Sequence, residues 1–159
     1  MLISQEMNAA INEEIGRELE ASHLYLSLAA YANGMTLKRL SSFFFKQAAD
    51  EREHALKFVN YVLDAGGTVA IPAVPAPQAS FSSLEEAMKL ALDWEVTITH
   101  RIDDLMKLAV QQQDFIAQDF LRWFHTEQLE EVSTIDNLLR VVKQIGPNVI
   151  FIEAYLGHA

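Results

Sequence analysis

The sequence predicts an all-α protein, a four-helix bundle with one long crossover, and three observations carry that prediction. Four long segments repeat apolar side chains at alternating steps of three and four, the period of a helix with one buried face. Two of the three connections between them are only a few residues long. The middle one, GGTVAIPAVPAPQASF, is long and proline-rich.

The first helix is expected over residues 4–33, opened by Ser4 and closed at Asn33-Gly34. The second covers 36–65, from the N-cap candidate Thr36 to Gly66-Gly67. Ser82 with Glu85, or Ser83 with Glu86, makes a capping box that opens a third helix over 83–112. Asp114 caps a fourth over 114–145, which Gly146-Pro147 stops. The terminal segment around NVIFIEAYLG, over 148–156, reads as a short helix or strand. All 159 residues are assigned to a single domain. A helix of about 30 residues is ~45 Å long, and a loop of about 16 residues, extended at ~3.3 Å per residue, reaches ~53 Å. The middle connection therefore spans the bundle, while the short ones force antiparallel neighbours.

Charge narrows the partners. The formal charge is -10, from 22 acidic against 12 basic side chains, with no Lys/Arg run at either end, which argues against nucleic acid and anionic membranes. The absence of Cys excludes disulfides, iron–sulfur clusters and thiolate zinc sites. No apolar run approaches the ~20 residues that span a bilayer, and the amino terminus has no signal-peptide h-region, so a cytoplasmic location is expected. An apolar fraction of 50% points to surface buried against other copies of the chain.

The apolar stripes locate the chemistry by where they fail. The first runs Ile11, Ile15, Glu18, Ser22, Tyr25, Ala29, Ala32, and the second Leu40, Phe44, Gln47, Glu51, His54, Phe58, Tyr61. The third runs Leu84, Met88, Ala91, Glu95, Ile98, Ile102, Leu105, Ala109, and the fourth Ala117, Leu121, Phe124, Gln128, Glu131, Ile135, Leu138, Val142. Each is broken by a carboxylate near mid-helix, so Glu18, Glu51, Glu95 and Glu131 meet at one level whichever way each helix points. Burying an ion costs several kcal/mol before repulsion between like charges is counted. No Lys or Arg falls on the stripes at that level, which leaves shared protons or bound cations, and the metal reading is the stronger one. Glu51 and His54 form a Glu-x-x-His pair of the kind found in carboxylate di-metal bundles. Oxygen-rich ligands with one imidazole suit Fe(II) or Mn(II), with zinc as a competitor.

The motifs R-E-L-E-A-S-H-L-Y around Glu18, D-E-R-E-H around Glu51 and His54, W-E-V-T-I-T around Glu95 and F-H-T-E-Q-L-E-E up to Glu131 follow one another in order. On them the chain resembles the non-haem ferritins of bacterial and archaeal type over essentially its whole length. The resemblance implies a ferritin-like four-helix bundle with a short fifth C-terminal helix. It implies one iron on Glu18, Glu51 and His54 and a second on Glu51, Glu95 and Glu131, with Glu51 bridging and Gln128 beside the second. Tyr25 resembles a tyrosine that serves as hydrogen-bond donor or electron source, against the plainer reading of a core aromatic. A third iron site is implied on Glu127, Glu130 and Glu131, which share an arc of about 100°, with Asp50 joining where the family usually has glutamate. The alternative there is a solvated acidic face. Haem is not expected, because the positions that would repeat Glu-x-x-His and offer a methionine read Gln128 to Glu131 and Arg52.

The implied activity is that of a ferroxidase, oxidising Fe(II) with dioxygen or peroxide and storing Fe(III) mineral in a hollow homo-oligomeric cage of about two dozen (24) subunits. A smaller di-metal oxidase acting on an organic substrate and a purely structural bundle are the competing readings. His23, His100, His125 and His158 are given no role, and Trp94 and Trp123 are read as packing groups. For Asp114 and Asp119, capping and solvation are preferred over an iron-entry channel.

Overall fold

Ser4 opens the first helix by accepting a hydrogen bond from Met7 N at 3.0 Å. In the computed structural model, which describes residues 2–158, this helix, α1, runs Gln5–Gly34, followed by α2 (Lys38–Asp64), α3 (Leu84–Gln111), α4 (Phe115–Ile145) and α5 (Phe151–His158). Ser83 caps α3 by accepting from Glu86 N at 3.1 Å, and Asp114 caps α4 by accepting from Ala117 N at 2.9 Å. The Glu86 carboxylate folds back onto Ser82 rather than closing a reciprocal box with Ser83.

Two expectations are corrected. Thr36 does not cap α2. Its φ is 63°, in the left-handed region where the chain reverses, and the N-cap position falls to Leu37, which has no side-chain acceptor. The acceptor comes from the other end of the sequence. Glu153 on α5 takes hydrogen bonds from Arg39 N at 2.9 Å and Leu40 N at 3.0 Å, and Arg39 Nη1 donates to Glu153 O at 2.9 Å. The terminal segment is thus a helix docked across the start of α2, and it begins at Phe151 rather than 148.

α1 and α2 are antiparallel neighbours, as are α3 and α4. The segment between α2 and α3 runs the length of the bundle as a strap along α1. Asn8 Nδ2 donates to Thr68 O at 2.8 Å while Asn8 Oδ1 accepts from Thr68 N at 2.8 Å, and Asn12 Oδ1 accepts from Ala70 N at 3.1 Å. These two side chains satisfy backbone groups that the strap, lacking secondary structure, cannot pair within itself. Further along, Gly16 lets the strap close in: a Cβ there would lie 2.3 Å from Pro72 Cγ.

Two apolar clusters fill the interior, one at each end. Leu28, Leu40, Phe44, Met88 and Leu138 belong to the first. Ile11, Phe58, Ile102 and Leu121 belong to the second. The four stripe-breaking carboxylates lie between them. Among the described residues, no helix is long and apolar enough to cross a membrane.

Because Glu153 supplies, among the described residues, the side-chain acceptor at the α2 N-terminus, Glu153→Ala is expected to cost about 1 kcal/mol, the usual value of a lost cap, or ~2–4 °C in Tm for a chain of this size. Hydrogen exchange should accelerate at the Arg39 and Leu40 amides and across α5. Unchanged protection at those amides would mean that the cap is not holding α5 in place.

Candidate metal centre

Each long helix delivers its carboxylate to the layer between the two apolar clusters. Glu18 is 0% exposed, Glu51 and Glu95 1%, His54 3% and Glu131 7%. Ligand atoms of Glu18, Glu51 and His54 lie within 4.8 Å of one another, as do those of Glu51, Glu95 and Glu131, so Glu51 belongs to both groups. A third group joins His54, Glu127 and Glu131 within the same limit. Any of these groups could hold a metal ion.

Neighbouring donors settle some of the carboxylate oxygens and leave others open. Tyr25 Oη donates to Glu95 Oε1 at 2.6 Å, and Gln128 Nε2 reaches Glu95 Oε2 at 3.2 Å. Gln47 Nε2 donates to Glu131 Oε2 at 2.6 Å. His54 Nδ1 lies 3.0 Å from Glu51 Oε2 and 3.7 Å from Glu18 Oε2, and its Nε2 is 3.5 Å from Glu127 Oε1. Both oxygens of Glu18, Oε1 of Glu51 and Oε1 of Gln128 are buried with no hydrogen-bond partner in the chain. A buried polar oxygen left unpaired costs about 1–3 kcal/mol, more when charged. Unpaired oxygens on Glu18 and Glu51 beside one imidazole are the donor set that a hard divalent cation such as Fe(II) or Mn(II) completes.

The electrostatics agree with that reading. Burial, aided by repulsion between the carboxylates, pushes Glu51 and Glu95 up to about 8. Burial does the same to Glu18 and Glu131, each raised to about 7. Burial opposes charging His54, but the attraction of the Glu18 and Glu51 carboxylates and the hydrogen bond to Glu51 prevail and raise it to about 11. Tyr25 is held well above the usual phenol range, first by burial and then by the Glu95 charge, so it stays a donor. Among the described residues no Lys or Arg pairs with any of the five ligand candidates.

The residues expected to form a third site separate. Glu127 joins the cluster, half-buried. Asp50 turns to Lys46 at 2.9 Å, and Glu130 is exposed and belongs to none of the groups. Trp123 does more than fill space: its ring meets the His54 imidazole edge-on at 5.5 Å, with Lys57 Nζ 4.3 Å from its centroid on the outer side. Asp114 is the α4 cap. Of the residues passed over in the sequence, Gln47 binds Glu131 and Glu14 lies buried one turn before Glu18, bonded to Arg101 Nε at 2.6 Å. The spacing of four between Glu14 and Glu18 was the available signal for the latter.

Residues 8–145 match the family described as the ferritin-like domain. The chain is 34% identical over 155 residues to ferritin BfrB of Mycolicibacterium smegmatis, an alignment covering 98% of this chain and 86% of the relative. It is 34% identical over 145 residues to a bacterial non-heme ferritin of Staphylococcus aureus, covering 91% and 87%. An open pore ferritin from the hyperthermophilic archaeon Archaeoglobus fulgidus superposes with a TM-score of 0.94 at 32% identity, covering 98% of this chain and 96% of that one.

The raised carboxyl groups fix the sign of a pH effect on the metal-free protein. Between the ordinary carboxylate value of 4.5 and their folded values of about 7 to 8, the folded chain holds protons that the unfolded chain has lost. His54 acts in the same direction above 6.5. Stability in EDTA is therefore greatest at the acid end of that window and falls as pH rises through about 7–8. With saturating Mn(II) the slope should reverse, since the ion competes with those protons. Calorimetry at a series of pH values with and without Mn(II) checks this; parallel curves would contradict it.

Proposed function

This chain belongs to the ferritin family, and from that premise we propose that it stores and detoxifies iron, oxidising Fe(II) at the buried cluster and holding Fe(III) mineral inside a closed homo-oligomer. The observation that carries the proposal is the unpaired buried oxygen set of Glu18 and Glu51 beside His54. Glu18, Glu51 and His54 take one Fe(II), Glu51, Glu95 and Glu131 take the other, and Glu51 bridges. Iron supplies the electrons, with dioxygen or peroxide as their acceptor.

The protein's own part is geometry, charge and protons. Tyr25 and Gln128 fix the Glu95 carboxylate, and Gln47 fixes Glu131, so that the free oxygens stand ready without reorganisation. The negative charge of the four carboxylates favours Fe(III) over Fe(II), which drives oxidation forward. Protons held by the raised carboxyls leave as the ions bind. Glu127 offers a neighbouring position for an ion leaving or entering the pair, while Asp50 and Glu130 contribute at most charge around it. No haem is assigned, since Arg52 stands where a haem-binding methionine would be expected and Gln128 to Glu131 does not repeat Glu-x-x-His.

Assembly into a cage of about two dozen subunits follows the closed symmetry typical of homo-oligomers, and it is supported by the apolar side chains one chain leaves bare. Phe115 is 72% exposed and Leu129 74%. Those surfaces need cover.

The test is to mix metal-free protein anaerobically with Fe(II), admit air, and follow near-ultraviolet absorbance on the native-size fraction from gel filtration. Oxidation should be rapid in a very large particle and slowed roughly tenfold or more in Glu18→Ala and Glu51→Ala, the scale on which loss of metal-site groups acts. No acceleration over protein-free iron, or a small particle, sinks the proposal.

A further inference from the structure

Glu14 takes no part in the centre described above, yet it is a fully buried acid with an unmet requirement. Its Oε2 accepts from Arg101 Nε at 2.6 Å, while its Oε1 is buried without any hydrogen-bond partner. A pair built only to hold α1 against α3 would be expected to engage both oxygens, as the guanidinium fork does when it meets a carboxylate squarely. Here the fork is turned aside: Arg101 Nη2 lies 3.9 Å from Glu13 Oε2, and Arg101 itself is 27% exposed.

Glu14 also lines a cavity of about 360 Å³ between α1 and α3, together with Glu6, Glu13, Arg101 and Asp104. Four carboxylates and one guanidinium line it, with Asp104 paired to Lys107 at 2.9 Å and Glu6 accepting from Gln112 Nε2 at 2.9 Å. A cleft walled mainly by one sign of charge concentrates the opposite ion. One helical turn inward along α1, a rise of ~6 Å, stands Glu18, both of whose oxygens are likewise unpaired. Unpartnered carboxylate oxygens thus lead from the cavity to the centre, with Glu14 as the intermediate step.

We propose that the α1–α3 cavity is an entry site for divalent cations, in which Glu14 is the inner ligand that passes the ion to Glu18 and Arg101 is the counter-ion it displaces. The incoming ion binds Glu14 Oε1, Arg101 gives up Oε2 and turns to Glu13, and the ion moves one turn inward as the cavity refills. Carboxylate oxygens select hard divalent ions of the class that includes Fe(II) and Mn(II). The inference rests on the ferroxidase reading for its destination but not for the site itself.

Crystals of the assembled protein soaked in Mn(II) test it, with anomalous difference density compared among wild type, Glu14→Gln and Arg101→Gln. A peak beside Glu14 is expected in wild type, stronger in Arg101→Gln because the competing cation is gone, and missing in Glu14→Gln. In solution, the Fe(II) concentration giving half-maximal oxidation should rise roughly fivefold in Glu14→Gln and fall in Arg101→Gln, the scale on which charge governs ion capture. A structural ion pair would lower Tm alike in both variants and leave half-saturation where it was. Absence of density beside Glu14 in both wild type and Arg101→Gln overturns the inference. Density at the Glu18, Glu51, His54, Glu95 and Glu131 cluster is scored separately in the same crystals, and its absence would refute the ferroxidase reading instead.

Discussion

The structure is organised around the cost of burying four carboxylates in an apolar bundle. Several kcal/mol per ion is a large fraction of a net stability on the order of 10 kcal/mol, so the rest of the core must be arranged to carry it. The arrangement is visible in the division of the interior. Apolar side chains are gathered at the two ends, Phe44 and Met88 in one and Phe58 and Phe124 in the other, and the acids share one layer between them. Dispersed along the bundle, the same acids would each interrupt a hydrophobic contact and none could share a cation. Gathered, they spoil a single level and create a ligand set there.

Selective satisfaction shapes that level. Glu95 is held by Tyr25 and Gln128, and Glu131 by Gln47, whereas Glu18 has no donor within hydrogen-bonding reach. The asymmetry separates positioning from binding. Carboxylates already held by neutral donors keep their orientation whether or not an ion is present, while the free oxygens gain most from one. His54 belongs to both classes, since Trp123 and Phe124 meet its ring edge-on and its Nδ1 is hydrogen-bonded to Glu51 at 3.0 Å, with Glu18 farther off at 3.7 Å. Asp50 stands apart from Glu127 and Glu131 for an equally local reason. Asp50 is one methylene shorter than glutamate, and Lys46, one turn away on the same helix, offers it a partner at 2.9 Å.

What the sequence disclosed and what it withheld divide along one line. Whatever depends on local sequence was legible: the four stripes, their breaks at Glu18, Glu51, Glu95 and Glu131, the caps Ser4 and Asp114, a cap at either Ser82 or Ser83, and the need for a crossover. Whatever depends on an element arriving from elsewhere was not. Glu153 caps a helix that starts more than 100 positions earlier. Thr36 looked like a cap because its residue type favours one, but the turn needed a left-handed residue at that point. Glu14 was hidden because α1 is buried on more than one stripe. The strap covers a second face of it, seated by Asn8, Asn12 and Gly16, so an acid that periodicity places beside the stripe ends up fully enclosed.

That second covering explains why α1 can carry an enclosed acid outside the four-helix layer. A helix buried on one face offers its acids either to the core or to water. α1, packed against α2, α3 and the strap, has intermediate positions that are neither, and Glu14 occupies one: enclosed, adjacent to Glu18, and bordering an acidic cavity. α3 contributes Arg101, the cation hydrogen-bonded to this acid, and Arg17 on α1 adds attraction from a greater distance. The exposed flank of Arg101 leaves it free to withdraw. The same physical demand, compensation for a buried carboxylate, is met beside the cavity by the Arg101 guanidinium and left open at the centre, where Glu18 and Glu51 keep unpaired oxygens that a cation could occupy.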